Sequence, residues 1–388
     1  MRPQLGCEIS RIVCIGRRRK IGSLLNINSG EVIPGGKRRR QVQAQGQPSL
    51  KLQKQKHLYL VLDDWADGFT IRKIDADDPD LSEAPAVRLA SPSPLQGGTF
   101  FTSLGSYILA VSNQHPVSLV YDTATAAVAP GPSLPDALLN AYDIFVPTAD
   151  NLCAFGSYMQ ERPPSVQVMS SSPATERHPC SSLIPCKDWS WRSVVPSPFT
   201  EEERIHSYAV HPDGRTVFVS SQFCASFRDD RSRTFSFNVS NPDEWRCHGD
   251  WELPFEGHGY FDSDLDAWVG LHRDGYIGTC QVPSRSTTSS TTAGTMRQQL
   301  DWKMAKDKLW SKDQQAAFEP TLTCLGNARF CLVDSLEEEE FGGDCMLRLT
   351  TFRLRHSQKG ELQIIDRNTS SFPVYKRKNS FSPVAFWM

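Results

Sequence analysis

The sequence predicts an all-β fold of propeller type, and three observations predict it. Apolar residues come in runs of about four to eight bounded by Gly, Pro, Asp and Asn, with few long stretches of helical period. Five segments repeat one pattern, an apolar strand, a tight turn and a second apolar strand. Their turns recur at roughly 45- to 63-residue spacing, which suits a repeat of four short strands with loops of variable length.

Taken in order, the first strands are Leu58-Tyr-Leu-Val-Leu62 and Thr70-Ile-Arg-Lys-Ile74, a unit without an opening hairpin of its own. Five hairpins follow, turning at Gly105, Asp150, Asp213-Gly214, Asp264 and Gly326-Asn327. A third apolar strand and a polar turn come after them. Val117 to Tyr121 leads to Asp122-Thr-Ala-Thr125, Thr234 to Asn238 leads to Trp245, and Tyr276 to Cys280 leads to Trp302. Trp191 takes the equivalent place in the second repeat. An apolar strand, a D-T-x-T turn and a Trp-bearing outer strand are the marks of a kelch-like blade. A four-stranded sheet cannot bury both faces alone, so blades must stack around an axis with aromatic residues between them. Asp122, Thr125, Trp191, Asp213, Gly214, Trp245, Trp251, Trp268, Trp302 and Trp387 are the expected structural blade residues.

Counting the units gives six blades, with five or seven as the alternatives. The last eight residues, Phe381-Ser-Pro-Val-Ala-Phe-Trp-Met388, are apolar to the end. Left exposed, such a segment invites edge pairing, so it is expected to pair with the first unit and close the ring.

A boundary falls just before His57. Residues 1–56 carry 13 Lys and Arg against Glu8 and Glu31, no aromatic residue and a Gln-rich run, while the rest of the chain is acidic and rich in aromatics. Such a leader has too little apolar surface to offset its ordering entropy and is expected to be disordered, with 57–388 forming the propeller domain. Its two clusters, Arg17, Arg18, Arg19, Lys20 and Lys37, Arg38, Arg39, Arg40, fit the acidic groove of a nuclear-import receptor. An Arg-rich transit peptide and a solvated, inert tail are the other readings. Without interleaved aromatics the clusters do not suit single-stranded nucleic acid, and the acidic body offers phosphate no cationic patch.

Chemistry-bearing motifs are sparse. The chain has no G-x-x-x-x-G-K-[ST], G-x-G-x-x-G, H-E-x-x-H or G-x-S-x-G, and no catalytic residue or cofactor is predicted. Eleven cysteines follow no disulfide framework. His178, Cys180 and Cys186 lie close together without a C-x-x-C pair to complete a zinc site. Asp262, Asp264 and Asp266 alternate as at the start of a calcium loop but lack its Gly and distal Glu, which leaves a polar hairpin turn. His211-Pro-Asp-Gly214 likewise has the residues of a tight turn. Three low-complexity insertions, near 170–186, 284–295 and 337–343, belong in surface loops.

His57-Leu-Tyr-Leu-Val-Leu-Asp-Asp-Trp65, Tyr208 to Ser220, Trp245 with His248-Gly-Asp-Trp-Glu-Leu-Pro-Phe255, Leu265 to Leu271, Ala328 to Val333 and Pro383 to Met388 together resemble a large family of uncharacterised grass proteins with a kelch-like, F-box-associated type of propeller. The resemblance covers nearly all of 57–388 and leaves 1–56 as an extension. It implies a plant source and brings no catalytic residues with it.

The function expected from these features is a non-catalytic scaffold, monomeric, that recognises a protein partner through its propeller loops. The alternatives are the substrate-recognition arm of a ubiquitin ligase, and a small-ligand or enzymatic site in the propeller funnel. No stretch approaches the roughly 18 apolar residues of a membrane helix, and no secretory h-region opens the chain. The expected location is intracellular, nucleus or cytoplasm, without secretion, and neither a membrane nor a specific nucleic acid is an expected partner.

Overall fold

The computed structural model describes residues 55–91, 98–157, 163–172, 188–194, 196–223, 232–283, 300–310, 319–337, 344–375 and 381–388. The basic clusters at 17–20 and 37–40, the His178/Cys180/Cys186 group and most of the three insertions lie outside the described residues.

Runs such as Leu58-Tyr-Leu-Val-Leu62 are buried throughout because both faces of the strand meet protein, which explains why these strands read as continuous apolar stretches. Strands β1 (Leu58–Trp65), β2 (Gly68–Ile74) and β3 (Val87–Ala90) form an antiparallel sheet whose fourth member, β24 (Val384–Trp387), comes from the far end of the chain. There Leu58 pairs with Trp387 and Val61 with Val384. A second unit contains β4 (Thr99–Leu104), β5 (Tyr107–Ser112), β6 (His115–Asp122) and β7 (Ala127–Pro130), and a third β8 (Tyr142–Pro147), β9 (Asn151–Ser157), β10 (Ser165–Ser172) and β11 (Asp188–Ser193).

The fourth unit, β12 (Glu203–Val210), β13 (Thr216–Phe223), β14 (Ser232–Asn238) and β15 (Asn241–Gly249), is joined to the fifth, β16 (Glu256–Asp262), β17 (Ala267–Leu271), β18 (Tyr276–Gln281) and β19 (Trp302–Lys308). The junction is a parallel pairing of β12 with β16, so the two units make one eight-stranded sheet. The sixth unit is β20 (Thr321–Gly326), β21 (Arg329–Glu337), β22 (Asp344–His356) and β23 (Leu362–Tyr375). Asp136–Leu138 is one short 3-10 turn between units two and three.

The apolar clusters lie between units. Tyr59 and Phe69 pack on Phe101 and Tyr121, and Leu109 and Val120 pack on Leu152 and Met169. Phe155 meets Phe237, Phe218 meets Trp268, and Ile277 meets Phe330. The last cluster joins Val333 and Leu347 of the sixth unit to Leu58 and Leu60 of the first. Antiparallel four-strand units stacked in chain order, with β4, β8, β12, β16, β20 and β24 around a common channel, make the fold a β-propeller.

Turn chemistry sets the strand ends. Asp122 accepts from the Ala124 amide (2.9 Å) and the Thr125 hydroxyl (2.8 Å). Asp213 accepts from the amides of Arg215 and Thr216 and from the Thr216 hydroxyl, all at 2.8 Å. Gly214 takes φ +70°, where a side chain is strained, and its carbonyl accepts from the Ala149 amide of the neighbouring unit at 3.0 Å.

Asp262 is buried, and its Oδ1 accepts from the amides of Asp264 and Leu265 while Oδ2 accepts from the Ala328 amide of the next unit at 2.9 Å. Among the described residues no group of three or more His, Cys, Asp or Glu is placed to hold a metal ion, and no helix is long and apolar enough to cross a membrane.

Candidate functional site

In units two to six the first and third strands both run antiparallel to the second, so the start of the first strand and the turn between the second and third lie at the same end of the sheet. The loops entering the inner strands and these turns therefore share one rim. From it a channel of about 450 Å³ descends between the six inner strands. Phe101 of β4, Phe145 of β8, Tyr208 of β12, His258 of β16, Thr323 of β20 and Phe386 of β24 each contribute to its wall.

The centre of the site is the sequence Glu256-Gly-His-Gly-Tyr260. Gly257 has φ +68°, and the β16–β17 ladder is irregular between Glu256 and Tyr260. An irregularity of this kind re-aims side chains and is over-represented beside functional sites. A Cβ on Gly259 would lie 2.1 Å from Cζ of Phe255, so that ring fills the space a side chain would take.

The parallel β12–β16 register puts Tyr208 opposite His258. Their rings stack at 4.9 Å and 26°, and Tyr260 approaches the same imidazole at 3.9 Å. All three line the channel, and no protein group among the described residues hydrogen-bonds their side chains.

Burial decides the charge of this wall. It pushes His258 down to about 3 and pushes the Tyr208 and Tyr260 phenols well above the usual tyrosine range. The Cys324 thiol is raised by burial as well, against the opposing effect of the Gly326 amide. At neutral pH these three rings are uncharged. Thr321 and Thr323 spend their hydroxyls on the carbonyls of Pro383 (2.8 Å) and Ala385 (2.9 Å) and so tie β20 to β24.

Glu256, Arg273 and Glu319 line the same channel, together with His272 and Trp310. Arg273 Nη2 donates to Glu252 Oε1 at 3.1 Å, and Ser232 Oγ donates to Glu252 Oε2 at 2.7 Å. His206 Nε2 lies 3.4 Å from the same Oε2, and its pKa is lowered by burial, which outweighs the nearby carboxylate.

The expected blade residues sit mostly away from the channel. Trp268 is fully buried, and its Nε1 donates to the Val210 carbonyl at 2.9 Å. Trp251 Nε1 donates to the His248 carbonyl at 2.8 Å. Trp191 and Trp245 pack partly buried at the outer margins of their clusters. Trp387 belongs to the cluster between the sixth and first units and also lines the channel. Trp302 lies on the outer strand β19, as expected from the sequence, but is 39 % exposed, whereas Trp191 and Trp245 on the corresponding strands β11 and β15 pack against apolar clusters.

His258 and Tyr260 escaped recognition as a site in the sequence. The one local signal was a histidine between two glycines at the opening of a strand, where Gly is otherwise unfavourable.

A family model described as "Protein of unknown function (DUF1668)" matches residues 55–372. No curated protein matches the chain. Among solved structures, a candidate 6-phosphogluconolactonase from Bacteroides uniformis is 13% identical, with 81% of this chain and 82% of that chain covered and a TM-score of 0.44. A chain of the nidogen/laminin complex is 9% identical, with 80% and 98% covered and a TM-score of 0.41. The Cps50 (Swd1) β-propeller domain of Myceliophteria thermophila is 10% identical, with 80% and 82% covered and a TM-score of 0.36. Likeness at this level carries no argument about activity or partners.

Proposed function

The chain belongs to the DUF1668 family of proteins of unknown function, and from its own surface we propose that it is a non-catalytic scaffold that binds a protein partner through the rim at the channel mouth. One observation carries this reading. Val117 and Tyr142, each 58 % exposed, stand on the same rim, and Tyr375 at the upper end of β23 is 43 % exposed. The rim is held in place by Asn113, whose Nδ2 donates to the Ala141 carbonyl at 2.6 Å and whose carbonyl accepts from the Asn140 amide at 2.7 Å. Exposed apolar and aromatic residues on a fixed frame have the make-up of a protein-binding patch.

In this reading the six four-stranded units are six kelch-like blades on one axis, closed by β24 against β1. The apolar clusters that link each unit to the next, and the sixth to the first, support that count. The protein is intracellular, and the basic clusters at 17–20 and 37–40 address it to the nucleus.

The test is quantitative affinity purification of the full chain beside a Val117→Asp, Tyr142→Ser variant. Partners on this rim drop at least about tenfold in the variant while its melting temperature stays put. Equal recovery of every co-purified protein with both baits removes the rim from consideration.

A further inference from the structure

The channel wall combines aromatic rings with carboxylates that have no partner. Phe101, Phe145, Tyr208, Tyr260, Trp310 and Phe386 come to it from five inner strands and from the segment just after β19. Trp310 is pinned there, because its amide and that of Leu309 both donate to the Gly275 carbonyl, at 3.3 and 2.9 Å, in the turn that carries Arg273.

Glu256 opens β16 and Glu319 stands two residues before β20, the inner strand packed beside it, so the two acids lie at the same end of adjacent strands. Both line the channel and both are exposed. Neither side chain has a hydrogen bond or ion pair with a described residue. The basic groups of the lining, in contrast, are engaged. Arg273 Nη2 donates to Glu252 at 3.1 Å, and His272 Nδ1 accepts from the Asp274 amide at 3.2 Å.

These features select the guest by its charge. An anion would meet two free carboxylates and a guanidinium already paired, whereas an inorganic cation needs a converging shell of several oxygen ligands. Among the described residues no group of three or more His, Cys, Asp or Glu supplies one. An organic ammonium needs no such shell, because the carbon groups on its nitrogen carry the charge on a surface that ring faces attract. The volume, about 450 Å³, falls within the range of small-molecule sites, and Thr102, Ser103 and Ser382 on the same wall admit a hydroxyl on the guest.

We propose that the channel binds an alkylammonium, held among the ring faces of the wall with Glu256 and Glu319 answering its charge. The same head group occurs on free quaternary amines and on methylated lysine side chains. Val117 and Tyr142 lie outside the channel lining, so the site is independent of a partner held by them.

The probe is choline, titrated calorimetrically into the full chain at low salt beside 3,3-dimethylbutan-1-ol, which has the same shape without the charge. Saturable binding of choline, at least about tenfold tighter than the neutral alcohol, is expected. A short alanine peptide with one trimethyllysine identifies the source: tighter binding than choline assigns a protein side chain, weaker binding a free amine. The Glu256→Gln, Glu319→Gln double variant keeps the shape of two exposed side chains and weakens choline at least about threefold, an effect that fades as salt is raised. The Val117→Asp, Tyr142→Ser variant binds choline as the natural sequence does, so a failed search for a rim partner leaves this result standing. No saturable binding, equal affinity for the alcohol, or choline affinity unchanged by the two glutamines overturns the proposal.

Discussion

The hydroxyl of Thr323, near the middle of β20, donates to the carbonyl of Ala385 on β24 at 2.9 Å, and both residues are buried. Thr321 repeats the bond one step earlier, to Pro383. These two side chains connect the sixth unit to a strand that belongs to the first unit's sheet.

The Thr321→Val, Thr323→Val double variant keeps shape and removes both donors. The Ala385 carbonyl is left buried without that donor, which costs about 1–3 kcal/mol, and the Thr321 bond adds a smaller loss. Urea unfolding should show a lower midpoint with an unchanged slope. Deleting 381–388 should cost far more, since Phe381 and Ala385 are buried and Leu58 and Leu60 lose their cover. A truncated chain melting like the full one excludes the tail from the fold.

Trp268 gives the second prediction. Among the described residues it is the largest fully buried side chain, and it reaches across from the fifth unit to the Val210 carbonyl of the fourth. Trp268→Phe takes the indole donor from that carbonyl and opens a void beside Phe218, whose ring centre is 5.1 Å away. A loss of about 2–4 kcal/mol is expected, measured by denaturant unfolding. A change below about 1 kcal/mol means the indole is not a fixed strut.

How much of this was legible in the sequence depends on how local the cause is. The five hairpins are the first and second strands of units two to six, turning at Gly105, near Asp150, at Asp213-Gly214, near Asp264 and at Gly326-Asn327, because each is set by a strand pair and turn within one short segment. The terminal apolar segment was readable because an unpartnered hydrophobic strand needs a place, and Val384–Trp387 does pair with β1.

Through-space features were not readable. Tyr208 and His258 are about fifty residues apart, and nothing local says that β12 and β16 pair in parallel. Glu203 and Arg233 pair in the fourth unit from β12 to β14, with the carboxylate fully buried, yet neither stands out in sequence. Trp302 stands on the outer strand expected of it, and its 39 % exposure, unlike the packing of Trp245 on β15, has no local signal in the sequence.

Asp262 supplies the third prediction. Its carboxylate holds three backbone amides, two in its own turn and that of Ala328 in the next unit, where Asn327 and Ala328 both have positive φ. Asp262→Ala strips all three acceptor contacts and leaves a buried amide unpaired, at about 2–4 kcal/mol. Asp264→Ala, in the same alternating run, leaves those bonds alone and should shift stability by under about 0.5 kcal/mol, while Asp266→Ala also leaves them alone but adds the strain of an alanine at φ +47°. Equal effects at all three positions would point instead to a shared role, such as cation binding, which added calcium would reveal as a rise in melting temperature.

The final prediction is a pH dependence fixed by buried histidines. Burial lowers His258 to about 3 and His248 to about 4, the latter with some help from Arg246, and His206 moves the same way. In the unfolded chain each imidazole takes up a proton near pH 6.5, while the folded protein refuses it until the lower value is reached. Between those values the unfolded state binds more protons, so stability rises with pH and is lost on acidification. From pH 7 to about 5.5 the loss is about 1 kcal/mol each for His248 and His258. Carboxylates such as Glu203, held below the usual range by Arg233, Thr200 and Ser221 against the effect of burial, lose their contribution only further down. The window above pH 5.5 therefore isolates the histidines. Urea midpoints measured across it should fall steadily in the natural sequence and less steeply in His258→Phe, where one of the refused protons no longer exists. Parallel profiles for the two proteins would mean that His258 is solvated and charged in the folded state, and that the uncharged ring in the channel wall is wrong.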